Sequence, residues 1–170
     1  MATTGTRPRT GFTLLELIVV MSIIGIITGM VVPVFATAFA GIQLRNARSD
    51  FLSVLYHTQE RAVAESREFR MFLDTKENAF WVEVVVEIDD NEKIFEPVDE
   101  DFGLKKTLPP YLKFERVRAP KDRKHNANYI GCYPNGACDR ATIILQDTRA
   151  RDSRFEIKTL GTLGQVEVKD

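Results

Sequence analysis

Gly11-Phe12-Thr13-Leu14-Leu15-Glu16 opens the stretch that decides the fold, and residues 17–44 follow it without a single charge. A run of 28 uncharged, mostly apolar residues exceeds the ~20 that cross a hydrocarbon core of about 30 Å as a helix. Glu16 stands at its start, where a carboxylate in lipid costs ~2.5–3.5 kcal/mol, so an acid at this depth marks a functional position by default. Upstream, residues 1–11 carry Arg7 and Arg9 and no acid, which favours keeping that end cytoplasmic and sending the remainder across. Arg45 and Arg48, just past the run, weaken this bias without reversing it.

Three plainer readings stand beside this one. Ala36-Thr37-Ala38 has the small residues of a secretory cleavage site, but the apolar region is about twice the usual length and begins with an acid. A plain membrane anchor leaves Gly11-Phe12 and Glu16 without a role. A carboxylate that only reaches the headgroups is the third. Within the run, Pro33 removes a backbone hydrogen bond, and Gly25 and Gly29 have poor helix propensity. Residues 25–33 are therefore the softest part of the segment, a property shared with many proline-kinked membrane helices.

The string GFTLLELIVVMSIIGIITGMVVPVF resembles the class III signal of type IV pilins and type II secretion pseudopilins. The resemblance implies cleavage by a prepilin peptidase between Gly11 and Phe12 and N-methylation of Phe12. It implies that Glu16, one helical turn beyond Phe12, meets the terminal ammonium of a neighbouring subunit. Such pairing is what makes a charge tolerable in low dielectric. The resemblance also assigns Gly25 and Pro33 to a segment that loosens when subunits enter a filament. The expected organisation is a cleaved leader at 1–11, a transmembrane helix at 12–40 and a periplasmic domain at 41–170, with the helix continuing over 41–68 and a β-domain over 69–170.

Beyond Arg45, Leu44, Phe51, Leu55, Ala62 and Ser66 recur at spacings of seven and four, joined by Ala47 and Thr58. This is the narrow stripe of an amphipathic helix, and it is too short for a coiled coil. One long helix over about 13–68 is expected. Strands are expected at 69–73, 80–87, 111–118, 128–133, 141–146, 154–159 and 165–169, with Lys76-Glu77-Asn78 as a turn. The predicted class is α+β, a long N-terminal helix packed on antiparallel β-sheets. The passage over 57–71, the turn Tyr133-Pro134-Asn135-Gly136, the apolar strand to Leu145, Phe155-Glu156-Ile157 and Gly164-Gln165-Val166-Glu167-Val168 are similar to the H-type minor pseudopilins. The major pseudopilin pattern, a tyrosine-rich helix end with a calcium loop, is not found here.

Cys132 and Cys138 flank a turn in which a left-handed Gly136 would set the two cysteines opposite each other. A periplasmic location favours a disulfide, and two free thiols are the alternative. Two cysteines alone make neither a zinc site nor a C-x-x-C redox motif. Residues 87–101 hold eight acids and one base, net −7, and residues 105–125 are net +6. The acidic stretch reads as a solvated mobile loop, since its carboxylates fit no calcium-loop register. The basic stretch, beside Tyr111 and Phe114, has the ingredients of single-stranded DNA contact, or it neutralises the acids within one subunit or between neighbours. The relatives that take up DNA carry carboxy-terminal arginines, and residues 164–170 have none.

His57 and His125 lie in no nucleophile or metal motif, and no P-loop is present, so the expectation is a structural subunit that is neither an enzyme nor a cofactor binder. The resemblance implies a type II secretion minor pseudopilin in the bacterial inner membrane, spanning it once. Its partners would be other pseudopilins at a filament tip, the prepilin peptidase, the inner-membrane assembly platform and exoprotein cargo. The alternative is a minor type IV pilin that initiates a pilus or captures DNA.

Overall fold

The computed structural model describes residues 12–89, 92–149, 153–161 and 165–169, with the side chains of 30–34, 36, 37 and 89 left aside. Helix α1 spans Leu14–Ala64. Nine strands follow: β1 (Phe69–Asp74), β2 (Ala79–Asp89), β3 (Glu92–Pro97), β4 (Lys106–Thr107), β5 (Leu112–Arg118), β6 (Asn128–Cys132), β7 (Ala141–Asp147), β8 (Arg154–Thr159) and β9 (Val166–Lys169). The chain divides into two compact units, residues 1–43 and 44–170.

In the first unit the described side chains from Phe12 to Gly29 are all exposed, and most are apolar. Ser22 and Thr28 donate their hydroxyls to the carbonyls of Ile18 and Ile24, at 2.8 and 2.7 Å. Both hydroxyls are thus satisfied by their own helix. Among the described residues no helix is long and apolar enough to cross a membrane.

The second unit is built on the stripe of α1. Ala47, Phe51, Val54, Leu55, Thr58 and Ala62 are buried, and Thr58 returns its hydroxyl to Val54 O at 2.7 Å. Two antiparallel sheets cover this stripe. The first runs β3-β2-β1-β6, with β4 also pairing to β2, and the second runs β5-β7-β8-β9. Phe51, fully buried, sets its ring edge-on to Phe80 of β2 and Phe114 of β5, at 5.2 and 6.3 Å. One helical side chain therefore contacts both sheets, and its burial contributes about 2–3 kcal/mol. Asn78 ties the sheets together again: its amide donates to Leu112 O at 2.6 Å, and its carbonyl accepts the Phe114 N–H at 3.1 Å.

The observed elements differ from the expected ones in three places. The helix stops at Ala64 rather than near 68, and Ser66 is no part of the buried stripe. Ser66 adopts φ 53°, its N–H donates to Val63 O, and the Arg67 N–H donates to Ala62 O. This is a Schellman stop with a left-handed residue at C′, which ends the helix within its own periodicity. The acidic stretch is not simply a loop: β2 runs on to Asp89 and pairs with β3, with a register shift between Val85 and Glu87. The two-residue β4 has no sequence signal of its own.

Candidate assembly site

Thr13 sits at the N-cap of α1, its hydroxyl accepting the Glu16 N–H at 3.2 Å and its carbonyl accepting the Leu17 N–H at 3.2 Å. Glu16 is thereby fixed at the third helical position, where a carboxylate faces the positive end of the helix dipole. Its side chain is exposed and forms no ion pair among the described residues. Phe12 lies ahead of the cap, outside the helix and 80% exposed, so the separation from Phe12 to Glu16 is not a helical turn in the uncleaved chain. Gly11 falls outside the described residues, as does Gly164. A side chain at Gly25 or Gly29 would meet nothing within 4 Å, so neither glycine is dictated by packing within the chain. Pro33 lies inside the bounds of α1.

Cys132 and Cys138 are joined by a disulfide across a hairpin, with Cα atoms 4.2 Å apart. Tyr133 and Ala137 close a three-residue loop, the Tyr133 N–H donating to Ala137 O at 2.9 Å, and Gly136 takes φ 79°. The hairpin is held to the helix, since the Gln59 amide donates to Gly136 O at 3.0 Å. Beside it, burial and the hydrogen bond from its hydroxyl to Asp139 push the Tyr133 phenol up to about 12.

The loop between β5 and β6 folds over the outer face of the first sheet, a placement the sequence did not signal. His125 packs on Phe72 at 4.8 Å and lies between two carboxylates: Nδ1 is 3.0 Å from Asp122 Oδ2, and Nε2 is 3.3 Å from Glu83 Oε1. Burial is the largest influence on Asp122 and raises it, but the hydrogen bonds from His125 outweigh it and the carboxyl is lowered overall. Glu83 is only 3% exposed; Oε1 accepts the Trp81 indole N–H at 3.0 Å, and Oε2 has no partner among the described residues. The one trace of this cluster in the sequence is an acid set between Val82 and Val84, within the apolar run at 79–86.

Arg61 pairs with Glu100 and Lys93 with Glu68, but among the described residues no base of 105–125 bonds to an acid of 87–101. The aromatics expected to stack on bases are also engaged: Phe114 is buried in the core, and the Arg149 guanidinium covers Tyr111 at 3.9 Å. Among the described residues no three His, Cys, Asp or Glu side chains are placed to hold a metal.

Residues 6–32 match the family described as the prokaryotic N-terminal methylation motif. Solved structures extend the likeness to the second unit. The minor pseudopilin EpsH from the type 2 secretion system of Vibrio cholerae aligns at a TM-score of 0.56 and 14% identity, over 73% of this chain and 93% of that one. The fold is pilin-like. A second EpsH structure gives 0.53 at 14% identity, over 72% and 89% of the two chains. The type IV minor pilin FimU of Pseudomonas aeruginosa gives 0.52 at 12% identity, over 77% and 91%. Comparison with curated protein sequences finds no match.

Proposed function

We propose that this chain is a minor pseudopilin of a type II secretion system, a structural subunit of the periplasmic pseudopilus that drives protein export across the outer membrane. One conjunction carries the reading. A prokaryotic N-terminal methylation motif at 6–32 precedes a domain whose fold covers 93% of the minor pseudopilin EpsH. Cleavage falls between Gly11 and Phe12, Phe12 is methylated, and the segment at 12–40 anchors the subunit in the inner membrane. Its exposed apolar side chains and the self-satisfied hydroxyls of Ser22 and Thr28 suit a medium without water. Glu16, without an ion pair among the described residues, pairs with the amino terminus of a neighbouring pseudopilin, and Gly25 and Pro33 let the anchor loosen on entry. The prepilin peptidase, the assembly platform and exoprotein cargo are the further partners.

The alignment with FimU supports a second reading, a minor type IV pilin of pilus initiation or DNA uptake. Clean deletion of the gene separates the two. Exoproteins stranded in the periplasm with piliation and DNA uptake intact support secretion. Normal secretion with lost piliation or transformation refutes it in favour of the pilus.

A further inference from the structure

The outer face of the second sheet gathers cations and sorts them by kind. The pairing register places Arg118, Thr142, Lys158 and Glu167 in one cross-strand row, and Arg116, Ile144, Glu156 and Lys169 in the next. Ile143 and Ile157 alternate with these residues and are buried, so both rows point away from the core. Lys158 pairs with Glu156 at 2.9 Å and Lys169 with Glu167 at 3.4 Å, so the acids of the two rows are already engaged by lysines. The arginines are left over. Arg116, Arg118, Arg140 and Arg154 are exposed and form no ion pair among the described residues.

Two of these arginines converge. Arg118, Arg140, Thr142, Lys158 and Leu160 line a depression of about 410 Å³ at the end of β8. Gly161, just beyond β8, shapes it. Its φ is 83°, and a Cβ there would stand 2.8 Å from Arg140 Cγ, so only glycine lets the Arg140 side chain lie along this part of the chain. Like charges set side by side repel, and no described acid bonds to either guanidinium, although the chain as a whole carries a formal charge of −1.

We propose that this face docks an acidic segment of a different protein chain, one of whose carboxylates is held between Arg118 and Arg140. A guanidinium fork meets a carboxylate through two parallel hydrogen bonds, which an ammonium cannot do, and that gives the depression its selectivity for an acid. Each exposed ion pair contributes little, so the contact is a salt-sensitive one made by several arginines together. The inference rests on the reading of the chain as a pseudopilin, whose neighbours and cargo are other chains, and it names the chemistry by which one of them is recognised. A second copy presenting the same face is repelled. Nucleic acid is the weaker occupant: Glu156 and Glu167 interrupt the cations where phosphates would run, and Tyr111 and Phe114 are not free to stack.

The test uses the full mature chain in detergent, with a fluorescent oligoglutamate peptide as the acidic probe and anisotropy as the readout. The native chain should bind it, and binding should weaken about tenfold or more between ~0.1 and ~1 M salt, as the screening length falls from ~10 to ~3 Å. Arg118→Gln/Arg140→Gln should weaken binding about tenfold. Arg123→Gln/Lys124→Gln removes the same charge from exposed positions of the β5–β6 loop and should leave binding within about twofold. Circular dichroism checks folding, and Arg116→Gln/Arg154→Gln replaces the first pair if the loss of Arg140 disturbs the chain at Gly161. No binding by the native chain, or equal loss in the sheet and loop variants, overturns the proposal. So does tighter binding of a duplex oligonucleotide, or salt-sensitive self-association, that the sheet variant loses; these would give the face to nucleic acid or to a second copy. In cells, Arg118→Glu/Arg140→Glu supplied to a deletion strain should be processed and accumulate but fail to restore export. Native export by that variant overturns this contact alone, whereas a deletion without an export defect refutes the functional reading and leaves the peptide assay to decide the contact.

Discussion

Reducing the Cys132–Cys138 bond should lower stability by an amount the closed loop sets. The sequence separation is 6, and the chain-entropy relation gives about 2 kcal/mol for so small a loop. Both cysteines are buried and the hairpin is tied to Gln59, so reduced thiols would remain packed and the loss falls mainly on the unfolded state. For a unit of this size, about 2 kcal/mol corresponds to a melting-temperature fall of roughly 6–10 °C. The assay is thermal unfolding of the full chain with and without a strong reductant, thiol titration verifying that the bond has opened. Cys132→Ala/Cys138→Ala serves as the control; it should melt at or below the reduced native protein and ignore the reductant. An unchanged melting temperature in a fully reduced native sample would refute the argument.

Further expectations concern the helix stop, the acid limb and the cleavage site. Ser66→Gly should raise stability by about 0.5 kcal/mol in urea unfolding, because glycine adopts the left-handed C′ position without the Cβ clash a serine bears there. Asp147 is buried, and the Arg149 side chain that hydrogen-bonds it lowers its carboxyl below the ordinary value. A depressed folded-state acid stabilises above its unfolded pKa and loses that stability as pH falls through the folded value. Asp147→Asn should therefore melt below the native protein at neutral pH, and the gap should close under strongly acidic conditions; a constant gap would contradict the linkage. Gly11→Ala should block processing, read as a mature mass that retains the leader, while Glu16→Ala should be cut normally and enter the pseudopilus poorly.

The helix, both sheets and the disulfide hairpin were largely legible because their signals are local. The spacing of Leu44, Phe51, Leu55 and Ala62 marks the buried stripe, and the alternation of Ala141, Ile143 and Leu145 marks the inward face of β7. Ser66 misled because it falls in phase with that stripe, and only its backbone conformation ends the helix. β3 has the sequence of a loop because its charges serve the edge of a sheet; Glu92, Lys93 and Glu96 obscure the two apolar residues, and edge strands are commonly protected in this way. The strand order, the contact of Phe51 with both sheets and the meeting of His125 with Glu83 depend on residues far apart in the chain, which no window of sequence brings together.

The cap at Thr13 bears on what cleavage after Gly11 would accomplish. A neutral peptide bond two residues ahead of the helix would become an ammonium group, leaving only Phe12 and the capping Thr13 ahead of α1. That new cation would lie against the positive mouth of the helix, an arrangement unfavourable by about 0.3–1 kcal/mol even where water can screen it. The cut would then alter polarity rather than shape. An intact precursor would have little electrostatic reason to seek a neighbour, and a trimmed one would be drawn to any exposed carboxylate at the same depth. Proteolysis would in this sense act as the permission for assembly, written into the first turn of the helix.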